Sequence, residues 1–135
     1  LEQAVLPCSI DIRLLTGPEL LTGSTRLKAG TATKMALNIL STCVMVRLGK
    51  VFGNRMVDVA ASNSKLMDRA LRILRDLADI DRDHGLELLK LSDGSVKVAL
   101  VMAVGRLDAD AARELLLDHD NHLRIALASS GHYLH

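Results

Sequence analysis

Thr16-Gly17-Pro18-Glu19-Leu20-Leu21-Thr22-Gly23-Ser24-Thr25-Arg26-Leu27-Lys28-Ala29-Gly30-Thr31-Ala32 reads as a loop that opens onto a helix. Glycine permits tight turns and close backbone approach. Hydroxyls and unpaired backbone N–H groups donate to an oxyanion, and a helix that starts here turns its positive end to the same place. A loop of this kind suits a phosphorylated small molecule. Upstream, Ile10, Ile12 and Leu14 alternate with Asp11 and Arg13, which predicts a short strand within residues 4–15. Strand, Gly-rich loop and helix then follow in the order that α/β phosphate sites use.

Downstream the period changes. Met35, Ile39, Leu40, Cys43, Val44 and Val46 give a broad apolar face, and the spacing predicts a central, buried helix over about 25–48. Gly49 and Gly53 punctuate its end. Ser62 or Asn63 can cap a second helix, with Leu66, Ala70, Leu71, Ile73, Leu74 and Leu77 as its apolar stripe and Arg69, Arg72, Arg75 and Asp76 on the solvated side. The last third repeats itself. Residues 85–100 align without gaps on residues 112–127: Glu87 with Glu114, Leu88-Leu89 with Leu115-Leu116, Asp93 with Asp120, Lys97 with Arg124, and Ala99-Leu100 with Ala126-Leu127. Each copy reads as helix, Asp-containing turn, helix, so four short helices are expected to share one small core. The charged run Asp79–Asp83 lacks Gly, Pro and Ser and makes a poor flexible linker.

Composition bounds the function. The chain has 135 residues, 49% of them apolar, with one Phe, one Tyr and no Trp. That is enough for a core of Leu, Val, Ala, Ile and Met. A net charge of +1 leaves no electrostatic footprint for nucleic acid or an anionic membrane. No apolar run reaches the ~18 residues of a membrane span, and no signal peptide is visible. Cys8 and Cys43 stand in apolar contexts and read as buried free thiols of a reducing compartment, here taken as the cytoplasm. His119 and His122, like His132 and His135, are three apart, but the first pair straddles a predicted turn and the second lies at the tail. No metal and no cofactor is expected, and there is no Walker loop, dinucleotide fingerprint or nucleophile elbow.

The stretch from Thr16 through Lys34 resembles the signature of the N-acetylmuramic acid 6-phosphate etherases and of the glucokinase regulatory proteins, both of the sugar isomerase (SIS) superfamily of phosphosugar-binding proteins. The likeness runs on through Asn38, residues 45–51 and residues 54–59. It implies a mainly α fold in two parts. Residues 1–80 would be the C-terminal part of an α/β SIS domain, with one short strand, the Gly-rich loop and long helices. Residues 81–135 would be a small helical bundle of the ubiquitin-associated (UBA-like) type. It also implies that the chain is the C-terminal half of a longer enzyme, active as a homodimer. That enzyme would cleave the D-lactyl ether of N-acetylmuramic acid 6-phosphate to N-acetylglucosamine 6-phosphate and D-lactate, in cell-wall sugar recycling. Elimination and hydration would proceed without a metal. The family's catalytic glutamates precede the T-G-P-E signature, so no catalytic base is assigned on this chain. The rival reading is a non-catalytic sugar-phosphate sensor of the glucokinase regulator type.

Ser24 and Thr25 are the first candidates for substrate contact, because in the resembling families this step lies at the sugar-phosphate site. Plain helix capping is the alternative. Glu19, held rigid by Pro18, could accept from sugar hydroxyls or act as a base. Otherwise it pairs with Arg26 or Lys28. Arg26 and Lys28 could neutralise the phosphate, or Lys28 could fix the loop from within. Asn38, on an apolar helix, reads as a satisfied buried amide or as a polar group reaching toward the site.

Overall fold

The computed structural model describes residues 9–134. Among the described residues there are six helices: α1 (Lys28–Arg47), α2 (Ser64–Ala78), α3 (Arg82–Leu91), α4 (Val96–Gly105), α5 (Ala109–Leu117) and α6 (Leu123–Ser129). Between α1 and α2 lies a two-stranded antiparallel hairpin, β1 (Val51–Phe52) and β2 (Arg55–Met56). The mainly α expectation therefore holds. The chain divides into two compact units, one up to Cys43 and one from Val44 on.

The second unit holds the core. α4 is apolar but for Lys97, and its residues Val96 through Met102 are all buried. A helix of that kind must be surrounded, and α4 packs against α2, α3, α5 and α6. The aligned leucines of the repeat meet as expected: Leu88, Leu89, Leu100, Leu116 and Leu127 are all buried in one cluster, and Leu115 packs on it. The two copies share their turns in detail. Asp93 and Gly94 both take positive φ, as do Asp120 and Asn121. The Gly94 N–H donates to the Leu89 carbonyl and the Asn121 N–H to the Leu116 carbonyl, each at 2.7 Å.

The equivalence extends further upstream than the aligned sequence. Asp79 ends α2 and Arg106 ends α4, both left-handed at φ 52°. Asp81 then caps α3 by accepting from the His84 N–H, and Asp108 caps α5 by accepting from the Ala111 N–H. Such caps are each worth about 1 kcal/mol. α2–α3 and α4–α5 are thus two turns of one pattern. The run 79–83 is a tight capped corner, which is why it lacks the residues of a flexible linker. Asn63 supplies the cap of α2, accepting from the Leu66 N–H at 2.9 Å.

The hairpin is tied to this unit by polar contacts. Arg55 pairs with Asp76 at 2.8 Å, and the Arg124 guanidinium lies 4.5 Å above the Phe52 ring. Lys97 is 5% exposed, yet its Nζ donates to the Asn121 carbonyl at 3.0 Å and approaches Asp58 at 3.5 Å. Burial alone would raise the pKa of Asp58; its bond to Lys50 at 2.9 Å and the nearby Lys97 charge outweigh it and hold the carboxyl below its ordinary value. Gly49 is required twice over: its φ is +65°, and a Cβ there would come within 2.9 Å of the Asn121 carbonyl and the His122 ring.

Four expectations fail. α1 buries none of its residues, and Met35, Leu37, Ile39 and Val44 are each at least half exposed. With the helix uncovered, Asn38 is exposed rather than a satisfied buried amide, and Cys43 is an exposed free thiol. Cys8 and His135 lie outside the described residues. The strand expected around Ile10, Ile12 and Leu14 does not form in the described part of its range. The segment has the alternation of a strand, but β structure needs a hydrogen-bonded neighbour, and none is supplied among the described residues.

Candidate functional site

The loop and the first turns of α1 lie within the first unit. Gly17 and Gly23 adopt φ of +67° and +82°, and these turns fold residues 16–27 back over the start of the helix. The Ser24 N–H donates to the Leu21 carbonyl at 2.9 Å, Thr25 to Gly23 at 3.1 Å and Leu27 to Ser24 at 3.2 Å. Three of the N–H groups that the sequence offered to an anion, those of Ser24, Thr25 and Leu27, are thereby engaged inside the loop. The side chains are another matter: neither the Ser24 nor the Thr25 hydroxyl makes a hydrogen bond among the described residues, Ser24 half-buried and Thr25 exposed.

Glu19 has a role that the sequence did not reveal. Its Oε2 accepts from the Lys28 N–H and its Oε1 from the Ala29 N–H, each at 2.9 Å. Both oxygens thus cap α1, which carries no acidic residue in its own first turn. Two donors that a helix cannot satisfy internally are satisfied from nine and ten residues upstream. No ion pair of Glu19 with Arg26 or Lys28 forms among the described residues. The Lys28 Nζ instead donates to the Pro18 carbonyl at 3.0 Å, which ties the loop to the helix from its own side chain. Arg26 is exposed and makes no ion pair among the described residues.

The Ala29 N–H, then the Lys28 N–H, lower the pKa of Glu19 below its ordinary value, against a smaller opposing effect of burial. A carboxylate held this way is a poorer base than a free one. The sign of the pH dependence follows. A depressed pKa in the folded chain means that Glu19 contributes stability above the ordinary glutamate pKa, and that this contribution disappears as pH falls through the depressed value. The Lys28 and Ala29 amide resonances should therefore titrate together, with a midpoint below that of an unperturbed glutamate. In Glu19→Gln that transition should vanish. Amides that do not titrate in the unsubstituted chain would contradict the cap.

An open cavity of about 630 Å³ lies in the same unit, lined by Thr16, Leu20, Leu27, Lys28, Thr31, Ala32 and Met35. It is apolar apart from the Lys28 and threonine side chains. The loop thus brings Glu19 and Lys28 together at the helix start, while Ser24 and Thr25 do not line the cavity.

The hairpin at residues 51–56 escaped the sequence reading. Its signal is Gly53-Asn54 directly after the β-prone pair Val51-Phe52. Gly53 at φ +58° and Asn54 without positive φ make the turn that favours glycine at its first central position.

Compared with known proteins, the chain is 80% identical over 131 residues to a protein of Prochlorococcus marinus (strain MIT 9303) named N-acetylmuramic acid 6-phosphate etherase, a match covering 97% of this chain and 42% of that protein. It is 73% identical over 130 residues to the protein of that name in Synechococcus sp. (strain CC9902) and 60% identical over 126 residues to that of Crocosphaera subtropica (strain ATCC 51142 / BH68). The chain spans about two-fifths of the length of each. No protein-family model matches it. The etherase resemblance read from the loop is borne out, and it extends over nearly the whole chain.

Proposed function

We propose that this chain is part of an etherase that cleaves the D-lactyl ether of N-acetylmuramic acid 6-phosphate, releasing N-acetylglucosamine 6-phosphate and D-lactate. The observation that carries the reading is 80% identity over 131 residues to a protein of that name, a span that includes the loop from Thr16 to Lys28. In this reading residues 1–80 belong to the SIS phosphosugar-binding domain and residues 81–135 form the UBA-like appendage, and the enzyme works in the cytoplasm. Among the described residues no helix is long and apolar enough to cross a membrane.

Ser24 and Thr25 hold the sugar phosphate through their hydroxyls, which make no hydrogen bond among the described residues. Arg26 adds charge. Lys28 keeps the loop closed through Pro18 and can offer its remaining protons to the ligand. Glu19 acts on the substrate indirectly, by fixing the start of α1 against the loop. The catalytic acid and base come from the part of the enzyme outside this chain.

The exposed apolar positions of α1 support a homodimer. About half of the Leu40, Val44 and Val46 surface is open to solvent, and apolar area of that kind drives association. Light scattering at micromolar concentration should give a two-chain particle. A monomer with native helix content would remove the dimer from the account.

The activity is tested by grafting this chain over the matching segment of the Prochlorococcus protein. The chimera should release D-lactate from N-acetylmuramic acid 6-phosphate. A folded chimera without lactate release would overturn the reading.

A further inference from the structure

α2 places Lys65, Arg69 and Arg72 on one face, four and then three residues apart. Like charges at these spacings destabilise a helix. The helix has two carboxylates of its own, Asp68 within three or four residues of Lys65 and Arg72 and Asp76 four from Arg72, yet neither forms an ion pair with the three cations. Asp68 pairs with Arg82, and Asp76 pairs with Arg55 and Arg75. Lys65, Arg69 and Arg72 make no ion pair among the described residues. In a chain of net charge +1, this is a local concentration of positive charge with no ion-paired carboxylate among the described residues.

The three cations open onto a groove of about 700 Å³ between α2 and the hairpin, within the unit from Val44 on. Arg55, paired with Asp76, stands on its hairpin side, and among the described residues no carboxylate lines the groove. The start of α2 lies in the same groove. Asn63 takes the Leu66 N–H as its cap, which leaves the first N–H groups of the helix, at Ser64 and Lys65, directed outward with the positive end of the helix dipole. Asn54 and Asn63 supply amides, and Met56 and Leu66 an apolar floor. Arg69 also lines an adjoining groove of about 510 Å³. A volume of this size suits a small molecule.

We propose that this groove is a binding site for the phosphate monoester group of a small polar molecule, separate from the loop at residues 16–28 and independent of the function assigned to it. A phosphate dianion matches two guanidinium forks and one ammonium with its three terminal oxygens. The amides suit hydroxyl groups carried by the same molecule. The chain's single Phe and single Tyr lie elsewhere, so the groove has no aromatic face on which to stack a nucleotide base.

The test is an amide NMR titration of the 135-residue chain with inorganic phosphate, then with N-acetylglucosamine 6-phosphate, at constant ionic strength. Saturable shifts should appear at residues 54–56 and 63–72. Arg69→Gln combined with Arg72→Gln keeps helix propensity and should raise the dissociation constant at those amides about tenfold or more. The proposal is overturned if the double variant binds unchanged, if chloride produces the same shifts, or if residues 54–72 do not respond. It is also overturned if a hexaglutamate peptide binds there and phosphate does not, since the groove would then serve an acidic protein segment. The readout is residue by residue, so a silent groove and a silent loop are separate failures.

Discussion

Leu116→Ala should destabilise the chain by about 2–5 kcal/mol, the usual range for truncating a buried leucine. Leu116 is 2% exposed. It sits on α5, which packs on both α4 and α6, and α4 is itself capped by Ser95, which accepts from the Val98 N–H. The Asp108 carboxylate pins the start of α5, and the Asn121 N–H pins its end through the Leu116 carbonyl. Collapse around the void is thereby restricted, and poor collapse puts the cost toward the upper part of the range. In a unit of this size the melting temperature should fall by about 10 °C or more. Thermal unfolding followed by circular dichroism measures it. An unchanged melting temperature would mean that the repeat does not share a core.

The repeat was the most legible part of the fold. Its leucines recur at helical spacing, and its turn residues, Asp93-Gly94 and Asp120-Asn121, are of types that tolerate left-handed backbone. Local sequence carries both kinds of information. The extension to α2–α3 was harder to see, because Asp79 and Arg106 are chemically unlike and only their shared backbone conformation reveals the match. α1 shows the opposite limit. Periodicity told that it is helical, but burial depends on what covers a helix, and its own residues do not encode that. The same holds for Ile10, Ile12 and Leu14: alternation prepares a strand, and a partner makes one.

At the candidate site, composition identified the loop but not the division of labour within it. Glu19 was read as a pairing or reacting carboxylate. Its partners are the backbone N–H groups of Lys28 and Ala29, and backbone donors look the same in any sequence. Lys28, for which a loop-fixing role was one alternative, does bind the Pro18 carbonyl. The cationic face of α2 was legible as spacing, and its lack of partners was not, since Asp68 and Asp76 are close in sequence but engaged by Arg82 and Arg55 from other elements.

Ser24→Ala combined with Thr25→Val should weaken sugar-phosphate binding by about 1–3 kcal/mol, as expected for hydrogen bonds to a charged group. That is roughly 5- to 150-fold in affinity at 1.4 kcal/mol per tenfold. Neither hydroxyl makes a hydrogen bond among the described residues, so their removal breaks no internal bond, and the melting temperature should stay nearly constant while binding falls. The measurement closest to the central claim is D-lactate release from N-acetylmuramic acid 6-phosphate by the chimera that carries this chain, with and without the double substitution. The account predicts release by the first and a loss of that order in kcat/KM for the second, at equal folded fraction. Lactate release unaffected by the double substitution would contradict the assignment of the loop, and a folded chimera that releases none would contradict the function itself.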